Sequence, residues 1–172
     1  VSREAKLVLS RLHAKEEKFV ATVNTDDIKT VINSVVQKKV DEEAIEIASV
    51  LVHHKIDAVI ISNTTEENRK KLQSSSKYQK GGLSGKPLEE RSNQLIKIFY
   101  NLLKGKIKII GVGGVDSGKS AYAKFLAGAH FVQLYTGMIY QGPNIVVKIK
   151  KELKELLINQ GVNNFQDIIG QK

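Results

Sequence analysis

The chain has 172 residues, 41% of them apolar and 26% charged, which is enough for one domain with a real core and too regularly patterned in Val, Ile and Leu for intrinsic disorder. It contains no Cys, which excludes disulfides, a thiol nucleophile and a thiolate metal site, and no apolar run approaches the roughly 20 residues of a membrane-spanning helix. With 27 basic against 18 acidic residues the formal net charge is +9, which favours an anionic partner without naming one.

Taken in chain order, the sequence opens on Val1 rather than Met, without a signal-peptide pattern, as a trimmed piece would. Residues 3–17 place Ala5, Val8, Leu9 and Leu12 on one helical face, and Phe19 to Val23 reads as a weak strand. Asp26 or Asp27 is placed to cap a second helix with the apolar stripe Ile28, Val31, Ile32 and Val35. Asp41 is placed to cap a third, with Glu42 and Glu43 favourable to its dipole and Ala44, Ile47, Ala48 and Leu51 facing inward. No strand separates these last two helices.

From residue 58 the pattern becomes strand–helix alternation. Ala58–Ile61 is a short continuous apolar run, the mark of a strand buried on both faces. A polar loop rich in Ser and Lys follows to Gly85, and Pro87 suits the first turn of a helix carrying Leu95, Ile98, Phe99 and Leu102. Ile107–Val112 predicts a second buried strand, 117–127 a helix stopped by Gly128, and Phe131–Leu134 a third strand. Pro143 opens a last amphipathic helix with Ile145, Ile149, Leu153 and Leu156, ended by Gly161. Buried strands alternating with amphipathic helices predict an α/β protein with a parallel sheet or barrel.

Three glycine-bearing segments fall at the carboxyl ends of these strands, where such folds place ligands. They are Gly81-Gly82-Leu83-Ser84-Gly85, Gly111-Val112-Gly113-Gly114 and Tyr135-Thr136-Gly137. Glycines there let the backbone approach a ligand and leave N–H groups for phosphate oxygens. Residues Gly113–Ser120 also match the P-loop pattern G-x-x-x-x-G-K-S between a strand and a helix, with Lys119 and Ser120 as the phosphate and magnesium residues. Only one further strand follows it, and that strand runs into Tyr135 rather than into a metal-holding Asp.

Several features have plain readings. Arg69, Lys70, Lys71, Lys77, Lys80 and Lys86 form a loop with basic side chains, either attracting an anionic substrate or lipid or simply solvated. His13, His53, His54 and His130 lack metal-ligand spacing and read as structural, and no metal site is expected. Lys148, Lys150, Lys151 and Lys154 form the solvent face of the last helix. A basic module binding anions or nucleic acid lacks the aromatic platforms it needs here, so no nucleic-acid partner is expected.

Ile60-Ile61-Ser62-Asn63-Thr64-Thr65, Gly81-Gly82-Leu83-Ser84-Gly85-Lys86-Pro87-Leu88, Ile109-Ile110-Gly111-Val112-Gly113-Gly114-Val115 with Ser117-Gly118, and Gln133-Leu134-Tyr135-Thr136 with Gly142-Pro143 resemble the dihydroorotate dehydrogenases. Their order and spacing are similar to the class 2, quinone-linked group. The resemblance covers about residues 41–172, while 1–40 match poorly. It implies a (β/α)8 TIM barrel, with residues 1–172 a single partial barrel domain and 41–172 its FMN-binding C-terminal half. The strands at 107–112 and 131–134 would be the seventh and eighth, whose loops commonly hold a phosphate.

By the same resemblance, backbone N–H groups at Gly114, Tyr135 and Thr136 would hold the FMN phosphate. Ser62, Ser84, Gly85 and Gly113 would complete the cofactor contacts, and Asn63 and Thr64 would hydrogen-bond the pyrimidine. The implied reaction is oxidation of dihydroorotate to orotate in pyrimidine biosynthesis, with FMN taking the hydride and a quinone as final acceptor. The family's base is a Ser in an Asn-x-Ser-x-Pro-Asn loop. This chain has only Pro87 and Pro143, so that motif is absent, as is a fifth-strand Lys-x-x-Pro, and no catalytic residue is assigned. A barrel needs about 200 residues or more, so a fragment or an inactive relative is expected, with open sheet edges if taken alone. Membrane association would run through segments outside this chain, at the mitochondrial inner membrane in a eukaryote.

Overall fold

The structure is a computed structural model and describes residues 40–66, 69 and 72–171. The helices expected within 3–17 and 26–39, the weak strand at 19–23 and His13 lie outside the described residues. The chain divides into two compact units, Val1–Glu43 and Ala44–Lys172, and the second carries the sheet.

A helix over residues 40–53 (α1) comes first. Val40 is already helical, so Asp41 lies within the helix and is not its cap. Ala44 and Ala48 are buried and Leu51 packs on the same core, but Ile47 is half exposed. The other three share one line along the helix, and Ile47 lies to its side, so the apolar stripe is narrower than expected.

β1 (Ala58–Ile61) leads through a loop with 3-10 turns at Ser75–Tyr78 and Lys86–Leu88 into α2 (Glu89–Leu103). Pro87 occupies the start of the second turn, and Glu89 and Glu90 complement the dipole at the start of α2. Ile96, Phe99 and Leu103 are its buried apolar residues, and the expected Leu95, Ile98 and Leu102 flank them. β2 (Lys108–Val112) is followed by α3 (Gly118–Ala127), which Ser117 opens with a reciprocal capping box to Ser120 and Gly128 closes. β3 (Phe131–Gln133), α4 (Thr136–Gln141), α5 (Ile145–Asn159) and a 3-10 turn at Phe165–Ile168 complete the order. The short α4 and the last turn carry no periodic pattern and were not foreseen from the sequence.

The three strands pair in parallel in the order β1-β2-β3, with Val59 opposite Ile109 and Ile110 opposite Phe131. Consecutive strands are neighbours and the helical core packs on one face, which is the winding of a β/α barrel. Val59, Ile61, Ile109 and Val132 belong to that covered face. Ile60, Ile110 and Phe131 form a row on the other, where Ile60 is 58% and Phe131 59% exposed. β1 is therefore not buried on both faces as its composition suggested. Its continuous apolar run suits a strand with a layer on each side, and among the described residues only one side is covered.

The core has two parts. Ala44, Ile61, Ile96, Phe99, Leu103 and Ile109 anchor one, and Val115, Phe125, Ile145, Ile149 and Ile168 the other. Phe125 and Phe165 meet edge to face at 4.5 Å, and Tyr100 donates to the carbonyl of Ile169 at 3.1 Å, so the C-terminal turn is pinned to both parts.

His130 is structural, as expected. Its Nδ1 accepts from the Ile109 N–H at 3.1 Å, and the main-chain N–H of His130 donates to the Ile109 carbonyl at 2.7 Å. Burial and then Lys108 hold its imidazole below the usual histidine value. The unfolded chain therefore takes up the proton first, and stability falls as pH drops below about 6.5 toward the lowered native value. His130→Phe should cost about 1–3 kcal/mol at neutral pH by orphaning the Ile109 N–H, and should lose that increment of acid sensitivity. Urea unfolding at pH 7.5 and 5.5 measures both.

Candidate functional site

The carboxyl ends of all three strands open into one cleft of about 730 Å³. Ser62, Asn63 and Thr64 enter it from β1, Gly113 and Gly114 from β2, and Tyr135 and Thr136 from β3. Ser84 and Gly85 come from the long loop, so all nine residues singled out in the sequence line the same space.

Each wall is fastened to the next. Thr136 Oγ1 and Ser84 Oγ are 3.1 Å apart, and Thr65 and Leu83 form an antiparallel bridge. A methyl at Gly85, where φ is +79°, would lie 2.8 Å from Thr136 Cγ2. A methyl at Gly114, where φ is +77°, would lie 2.5 Å from Glu89 Cβ. Both positions need the left-handed backbone and the missing side chain, which lets the turn after β2 lie directly on the start of α2. As the first residues of α4, Thr136 and Gly137 have N–H groups outside that helix's own ladder.

The long loop is held by Arg69, whose guanidinium donates to the carbonyls of Glu66, Lys77, Gln79 and Gly81. Of the two readings of this basic segment, Arg69 therefore fits neither, because its charge serves the loop's own carbonyls. Lys77 lies 5.2 Å from the centre of the Tyr78 ring, and Lys70 and Lys71 lie outside the described residues. Lys86 reaches Glu89 at 2.5 Å and Asp116 at 3.4 Å. The Glu89 hydrogen bond raises the Lys86 ammonium against the pull of burial, and the charges of Glu89 and Asp116 add to it. Burial acts to raise the Asp116 carboxyl, but hydrogen bonds from Ser120 and Ser117, with Lys86 beyond, hold it below the usual carboxylate range.

Lys86, Asp116, Tyr140 and Gln141 also line the cleft and were missed as site residues. Gln141 Nε2 donates to the Asp116 carbonyl at 3.1 Å, which ties α4 to the start of α3. The helix expected over 117–127 starts one residue later, because Ser117 is its cap and pairs reciprocally with Ser120.

That match has no triphosphate chemistry behind it. Ser120 is fully buried, and its hydroxyl bonds Asp116 Oδ1 at 3.1 Å and the Ser117 carbonyl at 2.9 Å while accepting from the Asp116 and Ser117 N–H groups. The Gly118 N–H, which a P-loop would offer to phosphate, donates to Glu152 Oε2 at 2.6 Å. The chain's own carboxylate occupies the anion position at this helix start.

A family model described as dihydroorotate dehydrogenase matches residues 11–157. The chain belongs to the dihydroorotate dehydrogenase family. It is 48% identical over 125 residues to a Mus musculus protein named dihydroorotate dehydrogenase (quinone), mitochondrial, covering 73% of this chain and 32% of the relative. A Buchnera aphidicola protein named dihydroorotate dehydrogenase (quinone) is 42% identical over 151 residues, covering 88% of this chain and 42% of that one. A crystal structure of ligand-free DHODH from Eimeria tenella superposes with a TM-score of 0.73 at 40% identity, covering 76% of this chain and 36% of that chain. The chain thus spans between about a third and two fifths of the length of these dihydroorotate dehydrogenases. Its three parallel strands and their helices are a portion of the family's α/β barrel.

Within this portion the Gly118–Glu152 bond joins α3 to α5 beside the cleft. Glu152→Ala should cost about 1–2 kcal/mol by removing a charged acceptor from a buried N–H. Glu152→Gln keeps an acceptor and should cost less than half of that, measured by thermal unfolding.

Proposed function

We propose that these residues are the cofactor-binding and substrate-binding part of a quinone-linked dihydroorotate dehydrogenase, which oxidises dihydroorotate to orotate in pyrimidine biosynthesis with FMN as hydride acceptor and a quinone as final electron acceptor. The observation that carries this reading is the convergence of Ser62, Asn63, Thr64, Ser84, Gly85, Gly113, Gly114, Tyr135 and Thr136 on one cleft at the carboxyl ends of parallel strands.

The cleft suits a flavin mononucleotide on its own geometry. Its volume of about 730 Å³ falls within the range of roughly 300–1,000 Å³ usual for small-molecule sites. At one end the turn Gly113-Gly114 and the start of α4, whose first N–H groups lie outside the helix ladder, line the cleft with main chain, which is the chemistry of a phosphate cradle. FMN, when bound, supplies the hydride-accepting centre.

The chain's own residues hold and orient the reactants. Gly114, Tyr135 and Thr136 offer N–H groups to the phosphate, Gly113 completes that turn, and Ser62, Ser84 and Gly85 lie along the flavin. Asn63 offers both a carbonyl and an amide, and Thr64 a hydroxyl, to a ring that presents alternating carbonyl and N–H groups. The Asn63 side chain already accepts from the Thr64 N–H at 2.8 Å, which sets its orientation. No residue here is assigned as the proton acceptor. Quinone reduction and any membrane or mitochondrial location are properties proposed for the whole protein by its likeness to the named relatives. Among the described residues no helix is long and apolar enough to cross a membrane.

The intact protein should carry the visible absorbance of FMN and reduce a quinone when given dihydroorotate, and a colourless preparation that binds ATP and magnesium would overturn the reading. Asn63→Ala should weaken orotate binding by about 10- to 100-fold, with FMN binding changed far less; titrations of both ligands make the comparison. Lys119→Ala should leave FMN affinity unchanged, because Lys119 is exposed on α3 and does not line the cleft.

A further inference from the structure

The most deeply buried polar cluster of the described residues lies outside the cleft, between α2 and α3 beneath the end of β2. Lys124 of α3 is fully buried there. Its Nζ donates to Ser92 Oγ at 3.0 Å and to Asn93 Oδ1 at 2.9 Å, both on α2. Ser92 is fully buried as well, and its hydroxyl donates to the carbonyl of Val112 at 2.5 Å. The same carbonyl accepts from the Ser62 N–H at 3.4 Å.

An ammonium is a poor choice for filling space. Burial pushes the Lys124 ammonium down to about 8, with Glu89 opposing, so the charge is kept at a cost at neutral pH. A methionine of similar length would pack beneath Gly111 without that cost. What the lysine adds is direction. A serine hydroxyl rotates freely and both donates and accepts. With Nζ donating to its oxygen, the proton of Ser92 is left for Val112. The Val112 carbonyl and the Gly113 N–H belong to one rigid peptide plane, so fixing the first fixes the second.

We propose that Lys124 is a positioning residue for the phosphate-binding turn, acting through Ser92 on the Val112–Gly113 peptide and so on the aim of the N–H groups at Gly113 and Gly114. The proposal rests on the flavin reading above and assigns Lys124 no contact with cofactor or substrate. A methyl at Gly113 would lie 3.3 Å from Ser92 Cβ, so the turn and the serine are already in contact and little slack separates them.

The test compares FMN with riboflavin, which is the same flavin without its phosphate. Dissociation constants of both are measured on the intact protein and on Ser92→Ala, Lys124→Met and the double variant. The wild type should prefer FMN. Ser92→Ala and Lys124→Met should each shrink that preference by about tenfold while leaving riboflavin affinity in place, and the double variant should lose no more than Lys124→Met alone. Folded variants that keep the wild-type preference, or that weaken both flavins equally, overturn the proposal. If Lys124→Met does not fold, Ser92→Ala decides by the same two results. A wild-type protein with no preference for FMN would instead overturn the phosphate reading itself, and the two failures are thereby distinguishable.

Discussion

The carbonyl of Val112 is the junction on which the cleft depends. It ends β2, accepts from the Ser62 N–H at the end of β1 and from Ser92 on α2, and shares a peptide plane with Gly113. Two walls of the site are therefore referred to one oxygen atom. The third wall is tied to β2 by the parallel ladder up to Val112 and Gln133, and beyond the strand ends by Ser84 with Thr136 and the Gln141 amide with the Asp116 carbonyl. The strand ends are joined by main-chain bonds, and the rim by bonds that use polar side chains.

Charge is arranged sparingly within this frame. Lys86 is shared by two carboxylates, Arg69 by four carbonyls of its own loop, and Lys124 by two neutral oxygens. Lys86, the one cation among the described residues that lines the cleft, is thus already engaged, and the net charge of +9 says little about how an anion would be held there. On the proposed reading the cleft would meet the FMN phosphate with peptide groups, which need no counterion.

Much of this was legible in the sequence because it depends on residues with few alternatives. Ser117 and Gly128 bounded α3 correctly, Pro87 marked the approach to α2, and the glycine segments fell after strands where the cleft opens. The rest was hidden for physical reasons. Ile60 reads as core by composition, but burial depends on a second layer that the strand itself does not encode. Arg69 sits in a segment that reads as anion-attracting or solvated and Lys124 gives no signal in the sequence, because only tertiary contacts turn these two cations inward. The P-loop pattern matched residue types while the hydroxyl and N–H it needs were already committed to Asp116 and Glu152.

The turn at Gly113 and Gly114 has a consequence for how such a site responds to change. Truncating a side chain removes atoms, and here there are none to remove. On the proposed reading an alanine scan would register the amide of Asn63 and the hydroxyl of Thr64 as losses, yet at these two glycines it could only add a methyl where Ser92 or Glu89 already stands. The same experiment would report subtraction at one pair of residues and obstruction at the other, and the two numbers would not measure the same kind of contribution.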